Sequence, residues 1–360
     1  MNVPGLEAVA DVLSTAVTAR VTPGAVVHTG TSLGPRFTVA AGRVTYAADA
    51  ALVTAATVYD LASLTKVIAT TALAMRHACT GALPLDTAVA DRLPQLRELP
   101  RVTVADLLAH TAGFAAHRPF YREVAGRAGY LARIAAEPLA YPPRAAHIYT
   151  DLGFMLLGLL IADAGDAPLA VQFDRFVRDA LGPAEIAYGG RAAWRTRMAP
   201  TSVSPWRGRM LVGEVNDDNA AALGGAAGHA GLFGTAAAVG AFARWFLSLW
   251  HGRTIVSAGI TAVQATRFAA RGAVAGSSRA LGWDTMVPTS SCGSRLSPRA
   301  IGHTGYTGTS LWLDPERDLY VVLLTNRVHP DGGGDGTANG IKTLRVAVHD
   351  ALAAAHPIVS

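Results

Sequence analysis

The sequence predicts an α/β domain that both ends of the chain build together, with a mainly helical domain inserted between them. Short strand-like runs of apolar and β-branched residues lie near the start of the chain and return near its end; they are residues 25–28, 36–40, 43–46, 281–285, 300–303, 309–313 and 320–324. Between about residues 79 and 269 the apolar spacing is mostly helical. We therefore expect residues 1–78 and 270–360 to form one α/β domain and residues 79–269 to form the insertion.

Local spacing and chain breakers define the individual elements. Apolar residues recur at helical intervals over residues 6–19, and Pro23-Gly24 ends that pattern before the first strand. A long apolar helix is expected from Ser63 to about His77. The other clear helices are predicted at residues 104–110, 153–164, 168–181, 236–250 and 341–354. The glycine-rich loop at residues 224–231 lacks the G-x-G-x-x-G spacing after a strand, so it does not indicate a nucleotide cofactor.

Composition excludes several classes of function. The chain has 360 residues, of which 51% are hydrophobic and 16% charged, as expected for a compact soluble protein of about two domains. Its net charge of +5 comes from scattered arginines without a run of like charges, so we expect neither nucleic acid nor lipid as a partner.

The N-terminal segment indicates no secretory signal. It carries Glu7 and Asp11 and no basic stretch ahead of an apolar one. The longest apolar run, residues 154–162, is too short to cross a bilayer, so no membrane span is expected. These observations predict a cytoplasmic protein.

One lysine stands out against an arginine-rich background. Only Lys66 and Lys342 are lysines among the 31 Lys and Arg residues, and Ser63 lies three positions before Lys66. Positions i and i+3 share one face of a helix, so the hydroxyl and the amine can meet. A lysine can lose its proton and serve as a base, whereas an arginine side chain stays charged. The pair suggests an activated serine nucleophile, although a lone S-x-x-K also occurs by chance.

Two further short motifs follow along the chain. They are Tyr149-Thr150-Asp151, just before the helix predicted at residues 153–164, and His303-Thr304-Gly305, at the end of a predicted strand. Each is weak by itself, and a near copy of the latter, His110-Thr111-Ala112-Gly113, lies elsewhere. Together with the phrases YDLASLTKVIATT, VADLLAHTAGF and GHTGYTGTSLWLDPERDLYVVLLTNR, the set resembles the serine β-lactamase/penicillin-binding-protein superfamily. The resemblance is to its class C β-lactamase-like branch, which includes carboxylesterases and DD-peptidases.

The resemblance implies a fold and a set of roles. The fold would be an antiparallel sheet flanked by helices, with the active site between it and an inserted all-helical domain. Ser63 would be the acylated nucleophile. Lys66 would take or relay the serine proton, and Tyr149 would be the second member of the base pair, with its phenol pKa lowered by nearby positive charge. The backbone N–H groups of Ser63 and Tyr306 would form the oxyanion hole. Thr304 and Gly305 would lie along the substrate. The eleven histidines show no metal-binding spacing, so no metal is expected.

Asp151 stands where many relatives carry asparagine. A carboxylate beside Lys66 favours the ammonium form of that lysine, which leaves Tyr149 as the principal base. The alternative is that Asp151 caps the following helix and touches nothing catalytic.

His303 stands where typical β-lactamases carry lysine. A neutral imidazole is a poorer anchor for a substrate carboxylate, which favours neutral ester or amide substrates. Arg327 would replace the missing charge if it faces the cleft rather than solvent. His229, in the glycine-rich loop, would either contact substrate or order that loop.

We therefore expect a serine hydrolase that acts on a small-molecule acyl substrate through an acyl-enzyme, with a carboxylesterase-like activity first. Alternatives with the same chemistry are β-lactamase activity, D-Ala-D-Ala carboxypeptidase or D-aminopeptidase activity, and acyl transfer to an acceptor other than water. An alternative of another class is a family member that binds a ligand or penicillin without turnover. The intact set of Ser63, Lys66 and Tyr149 argues against that alternative, because a pure binder does not need all of them.

Overall fold

The computed structural model describes residues 4–272, 274, 277–330 and 338–358 of the chain. The strands are β1 (Gly24–Thr31), β2 (Gly34–Gly42), β3 (Tyr59–Asp60), β4 (Ile186–Tyr188), β5 (Val203–Ser204), β6 (Arg209–Met210), β7 (Leu232–Gly234), β8 (Val256–Ser257), β9 (Ile260–Thr261), β10 (Asp284–Thr285), β11 (Ile301–Thr304), β12 (Ser310–Asp314) and β13 (Leu319–Thr325). The α-helices are α1 (Leu6–Thr18), α2 (Ala72–Thr80), α3 (Val89–Arg92), α4 (Val104–Leu108), α5 (Gly126–Ala135), α6 (Asp151–Ala164), α7 (Leu169–Phe176), α8 (Asp218–Ala222), α9 (Ala236–Trp250), α10 (Ala262–Ala269) and α11 (Ala338–Ala355).

Strands from both ends of the chain form the main sheet. Its strand order is β10-β11-β12-β13-β1-β2, and all neighbours are antiparallel. Strands β12 and β13 are the two central strands, and β13 also pairs with β1, where Ala25 lies opposite Thr325. Every residue of β13 is buried, which explains why its sequence is a continuous apolar run rather than an alternating one.

Helices cover both faces of this sheet. Helices α1 and α11 lie on one face, where Val9, Leu13, Val348 and Leu352 are fully buried in a core shared with the sheet. Helix α9 packs against β1 and β13, where Gly240 lies so close to His28 that a β-carbon would clash with the imidazole. Helix α9 thus lies on the sheet although its residues fall within the predicted insertion, and the division at residues 79 and 269 stays a prediction.

The structure differs from the predicted elements in a few places. Residues 43–46 do not form a strand, because only Arg43 makes an isolated bridge, to Leu52. The strand predicted at residues 281–285 is reduced to β10, because Gly282 adopts a left-handed conformation with φ of 85° and its N–H bonds to the Leu108 carbonyl. The mainly helical middle also contains short strands, among which β7 pairs with β3 and β4.

Helix α6 lies in the core, with Leu152, Phe154 and Leu157 fully buried. In the described parts of the chain, no single helix is long and apolar enough to cross a membrane; one pair bent by 76°, Asp151–Ala164 with Leu169–Leu181, meets the criterion of length and composition.

Candidate active site

A strained turn places Ser63 at the start of a helix. Strand β3 ends at Asp60, whose Oδ1 accepts the N–H of Ala62 at 2.7 Å, and Ala62 is left-handed with φ of 48°. A short Asp side chain that accepts a backbone N–H two residues later is a common turn-forming device. The helix then runs through π-helical turns at Lys66–Thr71 into α2. Helical structure after Ser63 was predicted, whereas the wide turns were not.

Lys66 is fully buried and its ammonium group has three acceptors. Its Nζ lies 3.0 Å from Ser63 Oγ, 2.8 Å from Asp151 Oδ1 and 3.2 Å from the His229 carbonyl oxygen. An ammonium group has three N–H donors, so each has an acceptor. Burial opposes the charge on Lys66, but the negative charge of Asp151 outweighs it and the pKa of Lys66 is raised. The lysine is therefore held as a cation.

Asp151 contacts Lys66 and does not cap helix α6. The cap is Thr150, whose Oγ1 accepts the N–H of Leu152 at 3.2 Å. Burial alone would raise the pKa of Asp151, but the charge of Lys66 and the hydrogen bond with His117 hold it well below its usual value. His117 Nδ1 lies 3.5 Å from the second carboxylate oxygen. Of the two interpretations of Asp151, the structure thus supports the one that places it beside Lys66.

The phenol of Tyr149 reaches the same serine. Its hydroxyl donates to Ser63 Oγ at 2.9 Å, and its ring lies between the imidazoles of His110 and His303, with centroids 4.8 and 5.7 Å away. The expectation of a lowered phenol pKa is wrong. Burial and the charge of Asp151 raise the pKa of Tyr149, and the opposing effect of Lys66 does not overcome them. Tyr149 is a neutral phenol in the resting site.

His303 is a neutral imidazole, as expected. Burial, followed by the positive charges of Lys66 and Arg279, lowers its pKa well below 6.5. Its Nδ1 lies 2.8 Å from the Thr304 carbonyl oxygen and donates to it, which leaves Nε2 as an acceptor. Within the described residues that Nε2 has no hydrogen-bond partner. His303 thus presents a lone pair, not a charge.

Gly305 brings the end of β11 against the Ser63 turn. A β-carbon there would lie 2.9 Å from the Leu61 carbonyl oxygen and 3.2 Å from the Ala62 β-carbon. The glycine is needed for this close approach. The next residue, Tyr306, is 67% exposed at the mouth of the cleft.

A cleft of about 1020 Å³ joins these groups. Apart from Lys66, which is buried behind Ser63, the predicted site residues all line it; they are Ser63, Tyr149, Asp151, His303, Thr304, Gly305 and Tyr306. Arg327 also faces the cleft rather than solvent alone, with its guanidinium 5.2 Å from the centre of the Tyr306 ring. The structure therefore brings the three sequence motifs to one place.

Sequence reasoning missed Arg279. Its guanidinium lies 5.3 Å from the centre of the Tyr149 ring and 3.8 Å from Asp284, and it lines the cleft. Its neighbourhood in the sequence is a loop without periodicity, which gives no signal. A signal did exist for His110, in the near copy of the H-T-G motif. Its Nδ1 accepts the N–H of Thr150 and so fixes the backbone beside Tyr149.

His229 orders its loop rather than contacting the cleft directly. Its Nε2 lies 2.9 Å from Asp217 Oδ1, its backbone carbonyl accepts from Lys66, and its side chain is buried. The glycine-rich loop thus supplies one of the three acceptors of the ammonium group. Across the described parts of the chain, no three His, Cys, Asp or Glu side chains are grouped as metal ligands.

The fold and the site define a serine hydrolase, and comparison with known sequences gives its family. The family model described as Beta-lactamase matches residues 9–343, so the chain belongs to that family. A Salmonella gallinarum protein named "Putative D-alanyl-D-alanine carboxypeptidase" is 31% identical over 310 residues, which cover 76% of this chain and 70% of that protein. An Escherichia coli protein of the same name is 29% identical over 311 residues, covering 77% and 70%.

Solved structures confirm the predicted fold. EstCE1, described as a hydrolase with promiscuous acyltransferase activity, superposes with a TM-score of 0.73 at 19% identity, over 96% of this chain and 98% of that one. A class C β-lactamase from Rhodobacter sphaeroides gives 0.73 at 20% identity over 96% and 98%. A penicillin-binding-protein homologue from Caulobacter crescentus gives 0.72 at 20% identity over 99% of both chains. At these identities the likeness concerns the fold alone.

Proposed function

We propose that this chain is a serine carboxypeptidase for peptides that end in D-alanine, acting through an acyl-enzyme on Ser63. The observation that carries the proposal is Arg279, a cation in the cleft next to Tyr149. Such peptides present a free carboxylate close to the bond that is cut, and a guanidinium binds a carboxylate well. Arg279 thus supplies the charge that the neutral His303 lacks. The names of the curated relatives support the same substrate class.

Ser63 Oγ is prepared for attack by two donors. The Lys66 ammonium and the Tyr149 phenol both lie within hydrogen-bond distance of it and stabilise negative charge as the serine loses its proton. Lys66 is a cation with all three N–H groups engaged, so it does not accept that proton. Its contribution is electrostatic.

Tyr149 relays the proton. Its hydroxyl takes the proton of Ser63 as Oγ bonds to the carbonyl carbon, and passes its own proton to the leaving amine as the C–N bond breaks. A relay of this kind needs no resting phenolate, which agrees with the raised pKa of Tyr149. Water then reverses the sequence: it gives a proton to Tyr149, bonds to the acyl carbon, and Ser63 regains its proton as the ester breaks.

Carboxylesterase activity is the second candidate. It is favoured by the neutral state of His303, whose Nε2 accepts a hydrogen bond but attracts no carboxylate. Under this alternative the leaving group is an alcohol and Arg279 contributes little to its binding.

A substrate panel tests the proposal. Release of D-alanine from an acylated D-Ala-D-Ala peptide is compared with turnover of its C-terminal amide, a p-nitrophenyl ester and a chromogenic cephalosporin, with Ser63→Ala as the blank. We expect the free-carboxylate peptide to give the highest kcat/KM and intact-protein mass to show an acyl adduct on Ser63. Turnover of the ester alone would contradict the carboxypeptidase proposal and support the carboxylesterase alternative.

A further inference from the structure

The two backbone donors assigned to the oxyanion hole come from opposite ends of the chain. They are the N–H groups of Ser63 and Tyr306, and their separation decides how well they stabilise a developing oxyanion, because donors act over about 2.7–3.1 Å. Each donor lies in a turn rather than inside a regular element. Direct contacts between the two turns therefore bear on the separation of the two donors.

Two threonine hydroxyls connect these turns directly. Thr307 Oγ1 donates to the Asp60 carbonyl at 2.9 Å, and Thr309 Oγ1 donates to the Leu61 carbonyl at 3.2 Å. Both threonines are fully buried. Thr307 directly follows Tyr306, and Leu61 is two residues before Ser63. The two hydrogen bonds therefore join the segment just before Ser63 to the segment just after Tyr306.

Arg345, from helix α11, holds the second turn and also lines the cleft. Its guanidinium donates to the carbonyl oxygens of Gly305 at 2.7 Å, Thr309 at 3.0 Å and Gly308 at 3.3 Å. The side chain is 8% exposed, and burying a guanidinium is costly unless hydrogen bonds offset the lost solvation. Three carbonyls of one turn supply them.

We propose that Thr307, Thr309 and Arg345 are positioning residues that set the separation of the two oxyanion donors. The proposal rests on the acyl-enzyme chemistry at Ser63 but not on the identity of the substrate. Loss of either threonine hydroxyl lets the Tyr306 turn move away from the Ser63 turn, with little change elsewhere in the cleft. A misplacement of about 1 Å in such a site costs on the order of 10²-fold in rate.

The test measures the rate at which a fluorophosphonate labels Ser63, followed by intact-protein mass. In this reaction Oγ bonds to phosphorus, the P–F bond breaks, fluoride leaves and the serine proton passes through Tyr149 to water. We expect Thr307→Val and Thr309→Val each to lower the second-order labelling rate constant by about 10- to 100-fold. Thr307→Ser keeps the hydroxyl and should label within about twofold of the wild type.

Thr29→Val is the matched control. Thr29 is also fully buried, and its hydroxyl donates to the Tyr320 carbonyl at 2.7 Å across two strands of the main sheet, with no link to Ser63. We expect it to lower the melting temperature as the other valine variants do, but to leave labelling unchanged. Equal labelling losses in Thr29→Val, or wild-type labelling in Thr307→Val and Thr309→Val, would overturn the proposal.

The role of Arg345 is tested through the variants Arg345→Lys and Arg345→Met. Lysine keeps the charge but lacks the planar guanidinium, so both variants should be labelled slowly. Phenylboronic acid forms a tetrahedral adduct with serine. Both variants should bind it less tightly, and the loss of affinity should follow the loss in labelling rate. Wild-type boronate affinity in Arg345→Met would overturn the role of Arg345. Because none of these readouts uses a peptide, inactivity towards D-Ala-D-Ala together with normal labelling would count against the proposed substrate alone.

Discussion

The two sides of the cleft differ in how far their polar groups are already satisfied. On the nucleophile side (Ser63, Lys66, Asp151), the buried ammonium has three acceptors and its charge is balanced by a carboxylate. On the substrate side (Arg279, His303), the Arg279 Nε and the His303 Nε2 have no hydrogen-bond partner within the described ranges. Buried polar atoms without partners are costly. The difference indicates that the reacting groups are organised in advance, whereas the substrate side is completed by a ligand.

Tyr149→Phe tests the nucleophile side and has the largest expected effect. It removes the proton relay, so kcat should fall by about 10²–10⁴-fold while the protein stays folded. Lys66→Met is compared with Tyr149→Phe in activity and in stability. It leaves Asp151 without its cation, so it should in addition lower the free energy of unfolding by about 3–5 kcal/mol. The measurements are kcat and the free energy of unfolding in urea for both variants. Full activity in Tyr149→Phe would exclude the relay.

Arg279→Gln tests the substrate side. If Arg279 binds the terminal carboxylate, kcat/KM for the D-Ala-D-Ala peptide should fall by about 10- to 100-fold, since a hydrogen bond to a charged group is worth about 1.5–3 kcal/mol. The C-terminal amide of the same peptide serves as the control and should be turned over by both proteins at nearly equal rates. Equal losses on acid and amide would show that Arg279 supports the fold or Tyr149 instead.

Asp151→Asn removes the balance of charge on the nucleophile side. The charge of Asp151 helps to raise the pKa of Tyr149, and Lys66 lowers it. With asparagine, the limb of the pH–rate profile that reports Tyr149 should therefore move to lower pH. An unchanged pH–rate profile would mean that the charge of Asp151 does not affect the pKa of Tyr149.

The same variant alters stability against acid. The folded-state pKa of Asp151 lies below its unfolded value of about 3.9. Its stabilising contribution is thus present above the unfolded pKa and is lost as the pH falls through the folded pKa. Asp151→Asn should show a flatter dependence of unfolding free energy on pH in acid. Denaturant unfolding at several pH values measures it.

His117→Gln has the smallest expected effect. His117 is half exposed, and its hydrogen bond with Asp151 raises its pKa. The imidazolium is present at lower pH and is lost as the pH rises through the raised pKa. While charged, it partly neutralises Asp151 beside the developing alkoxide. We expect the variant to lose about two- to fivefold in kcat/KM at low pH and nothing at high pH. A loss independent of pH would contradict this.

The sequence predicted the parts of this protein that depend on local pattern. The strand predicted at residues 320–324 was confirmed as part of β13, and its run is apolar because β13 is covered on both faces. The three motifs were found because their residue types are chemically specific. Arg279 was missed, because its position depends on the path of an irregular loop. The direction of the Tyr149 pKa was also wrong, because it results from burial and two opposing charges that spacing alone does not give.

The pairing of β1 with β13 has a consequence for how the protein is made. Ala25 is synthesised 300 residues before its partner Thr325. Until then β1 can pair on one edge, with β2, while its other edge stays open. An open apolar strand edge is prone to join other chains. Yield during expression should therefore be limited by aggregation of unfinished chains, and slower translation at low temperature should help less than chaperones that bind extended apolar segments.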